Sequence, residues 1–440
     1  MSRVLSADWV LPVEGAPIEN GAVAIEDGRL SAVGPASKLG EGERFAGAAI
    51  VPGFVNAHTH VEYAVYAGFG DGLGFAGWIS LHIQRKARLG WDEFVAIARL
   101  GAAESLASGV TTIGDCSYSG ATAVACAELG LRANVYLEVF GSDPQAIRRQ
   151  FGDKRDRVAP FASKHVQIGV SPHAPYTVSL AGYGACASLG VPIATHLAES
   201  AAEHDYLTGR GGAWTGYAHL LVEPPGTTGI RLLAANGLLG PEVVAAHCVT
   251  VDAEEIELLA RHRVGVAHCP RSNAALGCGV APLAELLAAG SAVGVGTDSP
   301  ASAPSLDFFE ELRSAVLSAR ARTHDPTALS ATAALELATL GSARALGLDA
   351  EIGSLVPGKR ADLAVVSLAQ TPYVPWEDPA AAVVFGGSPR CVVATLVDGE
   401  ERYRKEVFPW QRLRSDAASA RSRMLAGSEQ PAAVAAVAGT

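Results

Sequence analysis

The chain has 440 residues, 49% of them hydrophobic and 18% charged, which allows a large buried core and argues against intrinsic disorder. Asp and Glu outnumber Lys and Arg by 45 to 34, and the net charge of −11 works against nucleic acid as a partner. No apolar run approaches the ~18 residues that cross a bilayer, and Met1-Ser2-Arg3-Val4 opens no export signal, so the expectation is a cytoplasmic protein without membrane contact whose seven scattered cysteines stay reduced.

Residues 1–50 carry turn signals at Glu14-Gly15, Glu19-Asn20-Gly21 and Glu26-Asp27-Gly28, which predict small antiparallel strands. From 51 to 348, short apolar runs alternate with longer amphipathic stretches; the runs are 50–57, 110–115, 133–140, 166–171, 191–195, 243–246, 264–267 and 292–296. Each is nearly continuous in Val, Ile, Ala and Leu, the composition of strands buried on both faces. Trp91–Ala107 reads as a helix, with Phe94, Ile97, Ala98 and Leu106 on one side. Eight strand–helix alternations over ~300 residues predict an α/β fold, a (β/α)8 TIM-like barrel. Residues 349–415 return to short strands with a turn at Asp398-Gly399, so both chain ends are expected to build a small β-sandwich into which the barrel is inserted. Ala, Ser and Gly dominate 416–440, where a flexible tail is expected.

Polar residues sit where the apolar runs end. His58 and His60 follow the first run, and alternate residues of an extended chain point the same way, so both imidazoles can reach one point. His196 closes the fifth run and Asp298 the eighth. In a barrel these ends share one face, where barrel enzymes keep their active sites. Three imidazoles and a carboxylate there suit one divalent metal: Zn²⁺ first, Fe²⁺ or Mn²⁺ as well. Glu199, three residues past His196, is placed to shuttle a proton at an activated water. His247 ends the sixth run and is positioned to orient hydroxide or steady developing charge. His268, at the end of the seventh, reads equally as an orienting group or a hydrogen-bonded support.

Together these segments resemble the amidohydrolase superfamily, in its cytosine-deaminase-like branch of aminohydrolases and chlorohydrolases, over nearly the whole chain. The resemblance rests on Val51-Pro52-Gly53-Phe54-Val55-Asn56-Ala57-His58-Thr59-His60, Ser171-Pro172-His173-Ala174-Pro175-Tyr176-Thr177 and Thr195-His196-Leu197-Ala198-Glu199-Ser200. Ala246-His247-Cys248-Val249, His268-Cys269-Pro270-Arg271-Ser272-Asn273, Gly296-Thr297-Asp298-Ser299 and the segment from Gly353 to Leu363 also match. It implies a single metal held by His58, His60, His196 and Asp298, with Glu199 as proton shuttle and His247 and Asp298 orienting the nucleophile. Binuclear members carry a bridging lysine on an inner strand; 133–140 and 166–171 contain none, though Glu138 could bridge instead.

The segment His173-Ala174-Pro175-Tyr176-Thr177 resembles the strand-four motif of deaminases acting on S-adenosylhomocysteine, methylthioadenosine and aminodeoxyfutalosine, which implies that His173 contacts substrate. Gly77-Trp78-Ile79 looks like the loop whose tryptophan covers the nucleoside. Glu62-Tyr63 and the run 299–305 look closest to aminodeoxyfutalosine deaminases, so Glu62 is taken as a substrate contact. The resemblance therefore implies hydrolytic removal of a 6-amino group from an adenine-type nucleoside. Aminodeoxyfutalosine is the first reading; S-adenosylhomocysteine or methylthioadenosine, or a guanine, triazine or chlorinated-ring substrate, is the alternative. The partner is a small molecule, relatives imply a homo-oligomer such as a dimer, and Arg85, Arg88 and Arg132 are candidates to meet an acidic substrate tail. Gly72-Leu73-Gly74-Phe75-Ala76-Gly77 mimics a dinucleotide fingerprint without a clean strand before it and reads as a loop over the barrel mouth.

Overall fold

The computed structural model describes residues 3–212, 214–372 and 374–426, with backbone only at 75, 76 and 215–217. The chain opens with β1 Arg3–Val10, β2 Ile18–Glu26, β3 Arg29–Pro35 and β4 Glu43–Pro52. Asp27 and Gly28 both take positive φ, 49° and 79°, the tight turn that Asp-Gly favours between antiparallel strands, and β2 pairs with β3 across it.

Eight parallel strands follow: β5 Phe54–Thr59, β6 Val110–Ser117, β7 Arg132–Val139, β8 Val166–Pro172, β9 Ile193–Leu197, β10 Val243–His247, β11 Gly265–His268 and β12 Ala292–Val295. Each neighbours the next in sequence, as the eight apolar runs predict. The circle closes where Thr59 bridges Asp298 and the Asn56 side chain exchanges hydrogen bonds with Thr297, donating to its hydroxyl at 2.8 Å and accepting from its amide at 3.0 Å. Val55, Tyr136 and Val244 fill the interior with Ala343, Leu346 and Ile352, so the barrel is a packed core and not a pore.

β13 Leu363–Ser367, β14 Val392–Val397 and β15 Glu400–Arg404 then join the first four strands in the order β15-β14-β13-β4-β1-β2-β3. The expected sandwich is thus one continuous sheet. It curls on its own core of Leu5, Leu30, Leu363 and Leu396 until Arg29, the first residue of β3, bridges Arg360. The run 50–57 is two strands: Ile50 belongs to β4 and pairs with Val365, whereas Phe54 starts the barrel. Gly53 separates them because a Cβ there would lie 2.2 Å from the Thr111 side chain.

Among the helices, α1 Phe75–Lys86 follows the glycine-rich stretch and α2 Trp91–Ala107 matches its predicted bounds; α3 Pro144–Val158 and α4 Ala201–Leu207 come next. The tail expected from 416 is corrected by α5 Trp410–Leu425, which buries Ala417, Ala420 and Met424 along one stripe. Alanine favours helices once a surface is available to cover it. The remainder of that expected tail, 427–440, lies outside the described residues. Among the described residues no helix is long and apolar enough to cross a membrane, and all seven cysteines are unpaired.

Candidate active site

His58 and His60, near the end of β5, put two imidazoles on the same side of the chain, with ring centroids 5.0 Å apart. His196 on β9 brings the third. Its Nδ1 donates to the His173 carbonyl at 2.8 Å, so its Nε2 carries the lone pair and faces His60 Nε2 at 3.4 Å. Asp298, just past β12, has φ of 54°. Its Oδ2 accepts hydrogen bonds from the hydroxyls of Ser272 at 2.6 Å and Ser302 at 3.0 Å. That leaves Oδ1 facing His58 Nε2 at 3.3 Å and His60 Nε2 at 3.4 Å.

The ligand atoms of His58, His60 and His196 lie within 4.8 Å of one another, as do those of His58, His247 and Asp298. The Nε2 of His58 is buried without a hydrogen bond. Facing lone pairs beside a carboxylate repel unless positive charge lies between them, so the donor set fits a divalent cation such as Zn²⁺. Burial, reinforced by the neighbouring His58, pulls His60 down to about 3 and keeps its imidazole neutral. Burial by itself would raise the Asp298 carboxyl; His58, His247 and His60 outweigh it and hold the carboxyl well below its usual range.

Glu199 is buried beside this cluster, with Oε1 3.8 Å from His247 Nε2. Burial, then Asp298 and Glu203, push its carboxyl well above the usual range. The loop that carries it is fixed by Glu203, whose carboxylate accepts the backbone amides of Ala198 at 3.0 Å and Glu199 at 2.7 Å. Ser200 caps α4 by accepting from the Glu203 amide. His247 takes φ of 74°, and its Nδ1 donates to Asn273 Oδ1 at 3.0 Å, which keeps Nε2 toward the cluster.

A cavity of about 370 Å³ opens over these groups, with Trp78, Tyr118, Phe140, His173, Tyr176 and Trp214 among its walls. Trp78 and His173 thus both line the cavity. The Trp78 Nε1 donates to the Ala301 carbonyl at 2.9 Å, and His173 Nδ1 meets Thr177 Oγ1 at 2.8 Å.

Glu62 is a correction. It is fully buried, and the described cavity lining does not include it. Its carboxylate accepts from Ser117 Oγ at 3.2 Å and from the Ser119 amide and hydroxyl at 3.0 and 2.5 Å, the partners that a buried acid needs. Arg132 likewise turns away to pair with Asp362 and Asp398 at the opposite barrel end, and Arg88 donates to the Met424 carbonyl of α5. His268 is buried with neither ring nitrogen hydrogen-bonded. Sequence reasoning missed Glu203, Ser272 and Ser302, which hold the functional groups in place, although Ser272 lies inside a motif it had singled out. Glu138 does reach the cavity wall, its carboxylate within 4.8 Å of ring nitrogens of His173 and His196.

The family model described as "Amidohydrolase family" matches residues 49–402. A 5-methylthioadenosine/S-adenosylhomocysteine deaminase of Moorella thermoacetica is 37% identical over 415 residues, covering 91% of this chain and 94% of that relative. A 5'-deoxyadenosine deaminase of Methanothermobacter thermautotrophicus is 33% identical, covering 87% and 89%. The crystal structure of an adenosine deaminase from Xanthomonas campestris, with bound zinc, superposes with a TM-score of 0.85 at 30% identity, covering 96% of this chain and 98% of that one.

Proposed function

Because the chain belongs to the amidohydrolase family, we propose that it hydrolyses the 6-amino group of adenine nucleosides of the methylthioadenosine, S-adenosylhomocysteine or 5'-deoxyadenosine type. The observation that carries this reading is the meeting of three imidazoles, Asp298, Glu199 and His247 at the floor of an aromatic-walled cavity. The relatives favour the second substrate reading drawn from the sequence over aminodeoxyfutalosine, its first.

His58, His60, His196 and Asp298 would hold the cation, zinc being the natural choice for this donor set. A divalent metal there supplies the Lewis acidity that makes water a nucleophile near neutral pH. Glu199 would take a proton from the attacking water and give it to the ring nitrogen next to the amino-bearing carbon, then take the second proton from the added hydroxyl and pass it to the departing amine. Water's oxygen becomes the 6-oxo group, the C–N bond breaks and ammonia leaves. His247, fixed through Asn273, steadies charge on the incoming oxygen. Trp78 covers the nucleoside and His173 contacts it.

The test is ammonia release, with the matching shift of the adenine ultraviolet spectrum, from 5'-deoxyadenosine, methylthioadenosine, S-adenosylhomocysteine, adenosine and aminodeoxyfutalosine. Turnover of the first three supports the reading, and preference for aminodeoxyfutalosine restores the sequence's first choice. Ammonia from guanine, cytosine or a triazine, with none from any adenine nucleoside, overturns it.

A further inference from the structure

Arg271 stands one residue before Ser272, in the helix Pro270–Ala275 that follows β11, and the described cavity lining does not include it. Its side chain crosses instead to the loop that leaves β12. Nη1 donates to the carbonyls of Ser305 and Asp307, each at 3.3 Å, and Nη2 donates to Ser305 Oγ at 3.1 Å. The same fork pairs with Glu310 at 2.9 Å and with the fully buried Glu311 at 3.4 Å. The Arg271 amide donates to the second Glu311 oxygen at 3.3 Å. A guanidinium can serve this many acceptors because it is a flat fork with five N–H donors; an ammonium has three and no fixed plane.

The loop so tethered carries two contacts that matter at the cavity floor. Its Ser302 hydroxyl donates to Asp298 Oδ2 at 3.0 Å, and its Ala301 carbonyl accepts from Trp78 Nε1 at 2.9 Å. Ser272, next to Arg271 in the chain, reaches the same Oδ2 at 2.6 Å, and the two serine hydroxyls lie 2.8 Å apart. Pinning Oδ2 from both loops fixes the direction of Oδ1 toward His58 and His60. Between β12 and the helix Phe308–Thr323 no described residue belongs to a helix or strand, so the loop has no backbone ladder of its own. Arg271 supplies the hold on its far half.

We infer that Arg271 is a positioning residue for the metal centre. By tying the loop after β12 to the one after β11, it keeps Ser302 against Asp298 and so sets how tightly a divalent cation is held. The inference rests on the metal reading of the cluster above. Arg271 meets none of the ligand atoms, so its effect passes through Ser302 and Asp298.

The test titrates a competing chelator against the zinc-loaded enzyme to read zinc affinity, with the unfolding midpoint measured beside it. Arg271→Met alone strands Glu311 in the interior without its cation, and should lower both stability and zinc affinity. Arg271→Met combined with Glu311→Leu removes both charges, so stability should return toward the wild type. Zinc affinity should not return: the loop is still untethered, and the dissociation constant should stay about tenfold to a hundredfold above wild type. Recovery of zinc affinity together with stability reduces Arg271 to a brace of the fold and overturns the inference. In a Ser302→Ala background, already weakened, adding the same two substitutions should cost no more than about twofold, because the route from Arg271 to Asp298 is cut. An added loss as large as in the wild-type background overturns the inference too. Arg271→Lys keeps a charge beside Glu311 without the fork, so the fold should survive and zinc should still weaken; wild-type affinity there is a third contrary result. A wild type that takes up no zinc sinks the metal reading, and this inference with it. Zinc affinity that depends on Arg271, without ammonia from any adenine nucleoside, spares the inference and sinks the deaminase.

Discussion

At the end of the barrel where the strands begin, Arg132 on β7 donates to Asp362 at 3.0 Å and to Asp398 at 2.6 Å, and Arg360 and His165 reach the same Asp398 carboxylate. At the end where the strands finish, the Nε2 atoms of His58 and His60 face Asp298 at 3.3 and 3.4 Å, and that of His196 faces His60 Nε2 at 3.4 Å. The first network joins barrel to outer sheet and leaves its carboxylates satisfied. The second leaves buried ring nitrogens of His58 and His268 without hydrogen-bond partners. Charge at one end is used up in holding the fold together; charge at the other is kept available for a ligand.

That contrast can be broken by single substitutions. The largest effect is expected from Asp298→Asn, which should abolish turnover and bound metal together; elemental analysis, and loss of the thermal stabilisation on adding Zn²⁺, would read it. Glu199→Gln should lower kcat by about 10²- to 10⁴-fold while metal content stays at the wild-type level, because it removes the proton shuttle and not a ligand. Glu203→Gln should cost about 10- to 100-fold in kcat with little change in KM, since it disturbs the amides that aim Glu199.

The smallest effect on catalysis belongs to the opposite end. Neighbouring Arg132, Arg360 and His165 overcome the burial of Asp398 and hold its carboxyl at about 2, against an ordinary 3.8. Folding lowers this pKa, so the stabilisation is complete above about pH 4 and is lost as pH falls toward about 2; it amounts to roughly 2 kcal/mol. Asp398→Asn should lower the free energy of unfolding by that amount at pH 7, measured in urea, and flatten the acid loss over the same window. The kcat of the folded variant should match the wild type.

Much of this was legible in the sequence because strands buried on both faces write themselves as continuous apolar runs, and a polar residue ending such a run is conspicuous. His58, His60, His196, Glu199, His247 and Asp298 all stood out in that way, and the structure gathers them at one barrel end. Glu62 is a substrate contact by resemblance alone, yet the short helix that follows β5 carries it behind the wall to Ser117 and Ser119. Glu203 ends no apolar run and carries no such signal; the loop folds back and buries it under two amides.

The sequence by itself determined the count and order of the barrel strands, the candidate ligands at their ends and the Asp-Gly turns of the outer sheet, because each depends on neighbours within a few residues. Only the tertiary structure decided that Arg132 braces the far end, that Lys86 faces the cavity, and that residues 410–425 form a packed helix. Those outcomes depend on which surfaces meet across more than a hundred residues of chain, and the direction of a long polar side chain is set by the partner or solvent waiting there, not by its own segment.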